Sequence, residues 1–189
     1  MTFDLYLARH GETEWSLSGQ HTGTTDLALT PRGEEKAQIL GERLRQTSFE
    51  AVYSSPMQRA RRTAELAGFG HPQVSDLLRE VNYGRYEGLT TRQIHESDPD
   101  WELYRDGSPG GETPAQIYAR ARAFIELATS RREGIVIAFA HGHILRAIAV
   151  AWIAADITVA AGLLLDVATV NILREQADRG RVIALWNAS

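Results

Sequence analysis

The sequence predicts a single-domain α/β protein, a three-layer sandwich with a mostly parallel sheet flanked by helices. Apolar runs of strand length at residues 3–8, 51–53 and 135–140 alternate with segments of helical period, and capping or turn residues mark the junctions. A chain of 189 residues supports one well-buried core rather than two domains. With 43% apolar and 23% charged residues and no polar low-complexity tract, residues 1–189 fall in the globular class as one unit.

The run from Phe3 to Ala8 alternates and then turns nearly all apolar, as in a strand buried in a sheet, which puts Arg9 and His10 at its carboxyl end. A polar, Gly- and Thr-rich loop over 12–29 ends at Thr30-Pro31, an N-cap followed by proline at the first helical position. The helix it starts runs to about Gln46, with Ala37, Leu40, Gly41 and Leu44 as its inner stripe. Ala51, Val52 and Tyr53 make a second strand ending at Ser54-Ser55-Pro56, and a basic helix follows from Met57 to about Ala67. Leu77 to Val81 reads as a third extended piece. Residues 82–112 are loop-rich, with aromatic residues and a Gly-Ser-Pro-Gly-Gly turn cluster, and read as a lid or substrate wall. Thr113-Pro114-Ala115-Gln116 has the capping-box pattern and opens a long helix through Ile117, Ala121, Phe124, Ile125 and Ala128. A strand at Ile135–Ala140, a helix over about Ile144–Ala154 and two alternating runs, 166–173 and 181–186, around an Asp-Arg-Gly turn complete the chain.

Composition excludes several functions. Twenty basic against twenty-four acidic residues give a net charge of −4 without a basic block, so nucleic acid is not an expected partner. The absence of cysteine removes disulfides, thiolate metal sites and cysteine-phosphatase chemistry. No basic segment leads into a signal-type apolar stretch, and charges interrupt every long apolar run, so the expectation is a cytoplasmic protein with no membrane partner. The apolar stretch from Ala160 to Val167 reads as core or as the edge of a homodimer.

Ligands of open α/β sheets sit outside the carboxyl ends of the strands. Three such ends bring together Arg9-His10-Gly11, Ser54-Ser55-Pro56-Met57-Gln58-Arg59 and His141-Gly142-His143. A neutral imidazole can attack phosphorus, and arginine offers a permanently charged planar fork to phosphate oxygens. Gly11 would let the backbone approach a ligand. A metaphosphate-like transition state, with charge on three equatorial oxygens, is stabilised by several preoriented cations, which Arg9, Arg59 and His141 would supply without a metal. The chemical rival is a metal hydrolase using His141 and His143, on one strand face, with His10, Glu12, His21 or Glu80. Arginines in the same pocket oppose it, since they repel a divalent ion and ligate nothing. No Asp-x-Asp follows the first strand and no Gly-rich Lys motif is present, which removes two other phosphate-handling classes.

Over nearly its full length the chain resembles the histidine phosphatase superfamily, the phosphoglycerate-mutase-like group. The resemblance is carried by LARHGETEW, SGQHTGTTDLALTPRGE, VYSSPMQRARRTAE, LREVNYGRYEGLT, GGET and FAHGHILRA, in that order. It implies that His10 is phosphorylated, that Arg9, Arg59 and His141 bind the phosphoryl group, and that Glu80 protonates the leaving oxygen, with Glu87 as the rival carboxylate and Glu12 structural. A raised carboxyl pKa, gained beside an anionic substrate in a closed pocket, would suit Glu80 to that task. Thr22 and Gly23 match the phosphate loop, and Ser16, Gln20, Tyr83, Gly142 and His143 complete the implied substrate-binding set. Ser16 and Gln20 stand where many members have Asn and Arg. His143 either reaches the substrate or caps the next helix, and Arg146 braces the site or the lid. Trp15, His21, Tyr83, Tyr86, Trp101 and Tyr104 are candidates for a leaving-group wall or for packing. The chain lacks the long insertion and paired arginines of cofactor-dependent mutases, and Val81-Asn82 replace their Arg-His. The resemblance therefore implies a metal-independent, cofactor-free phosphatase acting on a small phosphomonoester, nearest the sedoheptulose bisphosphatase and broad acid phosphatase subgroup. Mutase-type transfer and a catalytically silent phospho-ligand-binding module are the alternatives.

Overall fold

The computed structural model describes residues 3–130 and 134–189. Among them Phe3–Arg9 (β1), Ala51–Ser54 (β2), Gln73–Val74 (β3), Gly134–Ala140 (β4), Val170–Gln176 (β5) and Gly180–Ala188 (β6) form one sheet in the order β3-β2-β4-β1-β5-β6. The first four in that order run parallel, whereas β5 and β6 are antiparallel additions beside β1. The helices are Glu14–Ser18 (α1), Pro31–Leu44 (α2), Gln58–Leu66 (α3), Thr91–His95 (α4), Leu103–Asp106 (α5), Pro114–Thr129 (α6) and Gly142–Trp152 (α7).

Strand β4 shows why the sheet carries helices on both faces. Its Ile137 and Phe139 join Leu40, Leu44, Ala64 and Ala67 of α2 and α3, while Val136, Ala138 and Ala140 join the larger core under α6 and α7. A strand covered on both sides must be apolar at every position, which is why β4 reads as a continuous run. Helix α7 is enclosed in the same way: Ile144, Leu145 and every residue from Ala147 to Trp152 are buried. Burial of each large aliphatic side chain there contributes roughly 1.5–3 kcal/mol.

Local signals set the helix starts. Thr30 accepts the Gly33 N–H at 3.0 Å with Pro31 next in line, and Thr113 and Gln116 form the reciprocal capping box of α6. Another capping box, Thr13 with Ser16, starts α1 inside the segment expected to be entirely loop.

Two expectations are corrected. Leu77–Val81 is not extended: Asp76–Leu78 is a 3₁₀ turn, and the edge strand is Gln73–Val74. The apolar pair that suggested a strand, Leu78 and Val81, is buried at a spacing of three residues, which is turn rather than strand periodicity. Gly11 does not serve ligand approach. A Cβ there would lie 2.4 Å from the Gly33 carbonyl oxygen, and one on Gly33 would lie 2.2 Å from that of Glu12. The two glycines let the first turn of α2 rest directly on the chain leaving β1.

Backbone bonds level the strand ends. His10 N–H donates to the Ala140 carbonyl and Ser55 N–H to that of Phe139, each at 2.9 Å. From the other side, Ala168 N–H donates to the carbonyls of Arg9 and His10, both at 3.2 Å. Ala168 makes this contact from a left-handed φ of 56°, a conformation costly for a residue with a Cβ.

Candidate active site

His10 is buried, and its Nδ1 lies 2.7 Å from the carbonyl oxygen of Gly11. That bond puts the proton on Nδ1 and leaves Nε2 with a free lone pair. Burial, then the charges of Arg59 and Arg9, hold the ring well below the ordinary imidazole range, so it stays neutral. The His141 ring stands 5.1 Å away, centroid to centroid. It accepts from Arg59 Nε–H at Nδ1 (3.0 Å), which places its proton on Nε2, 2.8 Å from Ser55 Oγ.

Arg59 is fully buried, with the Asp26 carboxylate 3.9 Å from its Nη1. Its guanidinium donates to the carbonyls of Thr25 (2.9 Å), Thr22 (3.1 Å) and Gly23 (3.3 Å). Glu87 holds that carbonyl cradle from behind, accepting the N–H groups of Gly23 (2.9 Å) and Thr25 (3.0 Å). The Gly23 amide, expected to face phosphate, is thus committed to Glu87. Glu12 is structural, accepting the Thr30 hydroxyl at 2.8 Å.

Above this layer lies a cavity of about 150 Å³ lined by Arg9, His10, Thr13, Trp15, Ser16, Gly19, Gln20, His21, Thr22, Glu80, Tyr83, Gly142, His143, Arg146 and Leu165. Larger surface depressions lie elsewhere, but this one holds the convergent ionisable groups. Arg59 and His141 sit beneath it rather than on its wall. Arg9 donates through Nη1 to the Leu165 carbonyl, while its buried Nε–H has no partner. A buried unpaired guanidinium donor beside a cavity is a seat for an anionic oxygen. Gly142 leaves room for it, since a Cβ there would stand 3.4 Å from Arg9 Nε.

Glu80 is placed by α7. His141, the N-cap residue, makes no side-chain cap bond, and the helix has no acid in its first turn. Glu80 supplies both from a distance, accepting the N–H groups of His143 and Ile144 at 3.0 Å each and that of Val81 at 2.9 Å. Burial alone would push the carboxyl up, but hydrogen bonding from His143 outweighs burial and holds it well below the ordinary carboxylate range.

His21, Tyr83 and His143 form the opposite wall, with the rings of His21 and Tyr83 4.8 Å apart. The Tyr83 hydroxyl, kept protonated chiefly by burial, donates to His143 Nδ1 at 2.6 Å. Trp101 and Tyr104 belong to the core instead. Trp101 donates to the Gly107 carbonyl at 2.7 Å and Tyr104 to that of His143 at 2.9 Å, because the inner side of segment 82–112 must satisfy its polar tips where it is buried. Tyr86 packs partly buried against them, 5.2 Å from Trp101. Ser16 and Gln20 line the cavity with side chains already bonded, Ser16 Oγ to the Thr13 backbone and Gln20 to the Gly88 carbonyl. Thr22 lines it while donating to the Gln20 carbonyl. The shared strand face expected for His141 and His143 is also corrected. One ends β4 against Ser55, and the other turns with α7 toward Tyr83. Among the described residues no three His, Asp or Glu side chains are grouped to hold a metal ion.

A family profile described as the histidine phosphatase superfamily (branch 1) matches residues 5–189. The chain belongs to that superfamily. This histidine phosphatase is 43% identical over 152 residues to an acid phosphatase of Mycobacterium tuberculosis, covering 79% of this chain and 75% of the relative. It is 38% identical over 178 residues to sedoheptulose 1,7-bisphosphatase of Saccharomyces cerevisiae, covering 77% of this chain and 66% of the relative. The solved structure of an open-reading-frame product from Mycobacterium tuberculosis superposes with a TM-score of 0.95 at 36% identity, covering 99% of this chain and 98% of that one. The family and these phosphatase relatives make the chain a phosphoric monoester hydrolase. No helix among its described residues is long and apolar enough to cross a membrane.

Three site residues escaped the sequence reading: Leu165 and Ala168, which act through backbone groups, and Thr63, whose hydroxyl accepts the Gly11 N–H at 2.9 Å. Only Thr63 carried a signal, as a polar residue at a fully buried position of a recognisable motif.

The histidines of this phosphatase also set its pH stability. Burial, in each case the largest cause, lowers His10, His21 and His141, and takes His143 to about 3. Below the unfolded value of about 6.5 the unfolded chain binds protons that these rings refuse, so folding stability falls with pH, by up to about 1.4 kcal/mol per unit for each ring. Glu80 adds in the same direction once pH falls below the unfolded carboxyl value of about 4.3, until its depressed folded pKa is reached. Denaturant midpoints at pH 7.5, 6 and 5 are expected to fall steadily; midpoints independent of pH would mean that the rings titrate normally.

Proposed function

We propose that this histidine phosphatase hydrolyses small phosphomonoesters, sugar phosphates or sugar bisphosphates, without a metal and through a phosphohistidine at His10. The observation that carries the reading is the unpaired Nε–H of Arg9 in the same cavity as the free Nε2 of His10 and the carboxyl of Glu80. His10 Nε2 forms a bond to phosphorus as the ester P–O bond breaks, and Glu80 gives its proton to the departing alkoxide. Glu80, now a carboxylate, takes a proton from water as that water's oxygen attacks phosphorus, breaking the N–P bond and releasing orthophosphate. Arg9 from the wall, and Arg59 and His141 from beneath, balance the charge on the equatorial oxygens. The acid phosphatase and bisphosphatase named among its relatives support the substrate class. In this reading residues 82–112 form the substrate wall through Tyr83, and the enzyme works in the cytoplasm on free small molecules, as a monomer or homodimer, with neither nucleic acid nor membrane as partner.

The test is phosphate release from sugar phosphates, sugar bisphosphates, phosphoglycerates and an aryl phosphate in excess chelator. Turnover unaffected by the chelator is expected, with sugar esters preferred. Loss on chelation would favour the metal hydrolase, phosphoryl transfer between phosphoglycerates a mutase, and silence on every ester a binding module.

A further inference from the structure

Glu87 follows the turn Gly84–Tyr86, is half-buried and does not line the cavity. None of the ion pairs among the described residues includes it. Its partners are two backbone N–H groups of the loop that precedes α2. That of Gly23 lies 2.9 Å from Oε1 and 3.0 Å from Oε2, and that of Thr25 lies 3.0 Å from Oε1. Glycine is required at 23 for this approach, since a Cβ there would lie 2.3 Å from the Val81 carbonyl oxygen and 2.8 Å from Glu87 Oε2.

The Gly23 N–H and the Thr22 carbonyl belong to one planar trans peptide and so point in opposite directions. Holding the N–H toward Glu87 aims the carbonyl at Arg59, whose Nη2 donates to it at 3.1 Å. The Thr25 bond pins the next turn of the loop, which carries the Gly23 and Thr25 carbonyls that Arg59 also uses. These three carbonyls and His141 set the direction of the guanidinium. Asp26 anchors the far end of the loop, accepting the Gln58 N–H at 2.9 Å. Its own pull on Arg59, from 3.9 Å, is weakened by solvent because its side chain is 47% exposed. Without Glu87 the two N–H groups would turn toward other acceptors and take their peptide planes with them.

We infer that Glu87 is a positioning residue: through the peptide planes of residues 22–25 it aims the carbonyls that fix Arg59 beneath the phosphoryl group, and it passes no proton to the ester. The inference rests on reading the cavity as the phosphomonoester site. Glu87→Ala is expected to lower kcat by about tenfold to a hundredfold, the scale of a small displacement of a catalytic group, and by the same factor on an alkyl and an aryl phosphate. Glu87→Gln, whose amide oxygen can accept both N–H groups, should return kcat to within about fivefold of wild type, a neutral hydrogen bond being worth about 1 kcal/mol. In an Arg59→Gln background Glu87→Ala should cost little further, because its effect passes through the missing guanidinium. Thr113→Ala removes a helix cap of comparable worth to stability and should leave kcat unchanged, and thermal midpoints check that each variant folds. If Arg59→Gln does not fold, Arg59→Lys takes its place in the cycle. A loss confined to the alkyl ester would make Glu87 a proton donor, and equal losses in both backgrounds, no loss in Glu87→Ala or no rescue in Glu87→Gln would each overturn the inference. Should the wild type release phosphate from no ester, the hydrolase reading falls and the same cycle is read in orthovanadate affinity by titration calorimetry. Coupled losses there uphold the positioning of Arg59, and additive losses or no vanadate binding overturn it.

Discussion

Replacing His10 by alanine is expected to lower kcat by a factor on the order of 10⁴ to 10⁶, the scale seen when a covalent nucleophile is removed. The ring is prepared for attack by a Gly11 carbonyl that fixes its tautomer and by burial that keeps it unprotonated. Neither surviving arginine can replace a lone pair aimed at phosphorus. Wild-type enzyme quenched in alkali during turnover of labelled ester should retain label as phosphohistidine, and His10→Ala should retain none. The variant should fold, since it removes a buried ring whose only side-chain hydrogen bond is to the neighbouring residue, and its thermal midpoint at neutral pH checks this. Turnover within about tenfold of wild type would remove His10 as the nucleophile.

The next largest loss is expected at Glu80. Glu80→Gln should cost about 10² to 10⁴ in kcat on alkyl phosphates, the usual worth of a general acid. The loss should be much smaller on an aryl phosphate, whose leaving oxygen departs without a proton. Equal losses on both esters would exclude proton donation by Glu80. The pH profile follows from the depressed pKa. In the empty site Glu80 is ionised across the working range, so the reactive complex must gain one proton, either carried in on the monoanionic ester or taken up when a phosphate dianion settles beside the carboxylate. Either route makes kcat/KM fall about tenfold per unit above the second phosphate pKa of about 6. On the acid side activity persists, because burial keeps His10 neutral well below pH 6.5. Glu80→Gln should flatten the alkaline limb. It should also lower stability by about 1–3 kcal/mol, since the amide presents a donor where backbone N–H groups of Val81, His143 and Ile144 converge.

The capping residues at Thr30 and Thr113, the unbroken apolar run of β4 and the inner stripe of α6 were legible in the chain because each follows from interactions between residues close in sequence or from burial on one or both faces. So was the meeting of Arg9-His10, Ser55 and His141 at one edge, which a parallel sheet enforces on successive strand ends. The order of layers inside the site was not legible. That Arg59 and His141 lie under the cavity, with Glu87 supporting the loop carbonyls that hold Arg59, depends on contacts between residues 23–25, 59, 87 and 141.

By itself the sequence determined the α/β architecture, the helix starts and the residue types gathered at the sheet edge, since periodicity, capping and strand direction are local or topological properties. The tertiary structure alone decided the state of those groups. Gly11 proved to be a contact for Gly33, Trp101 and Tyr104 proved to be core, and Glu80 proved to be a cap for α7 with a depressed pKa. Burial, partner geometry and charge balance are sums over neighbours distant in the chain, and those neighbours exist only once it has folded.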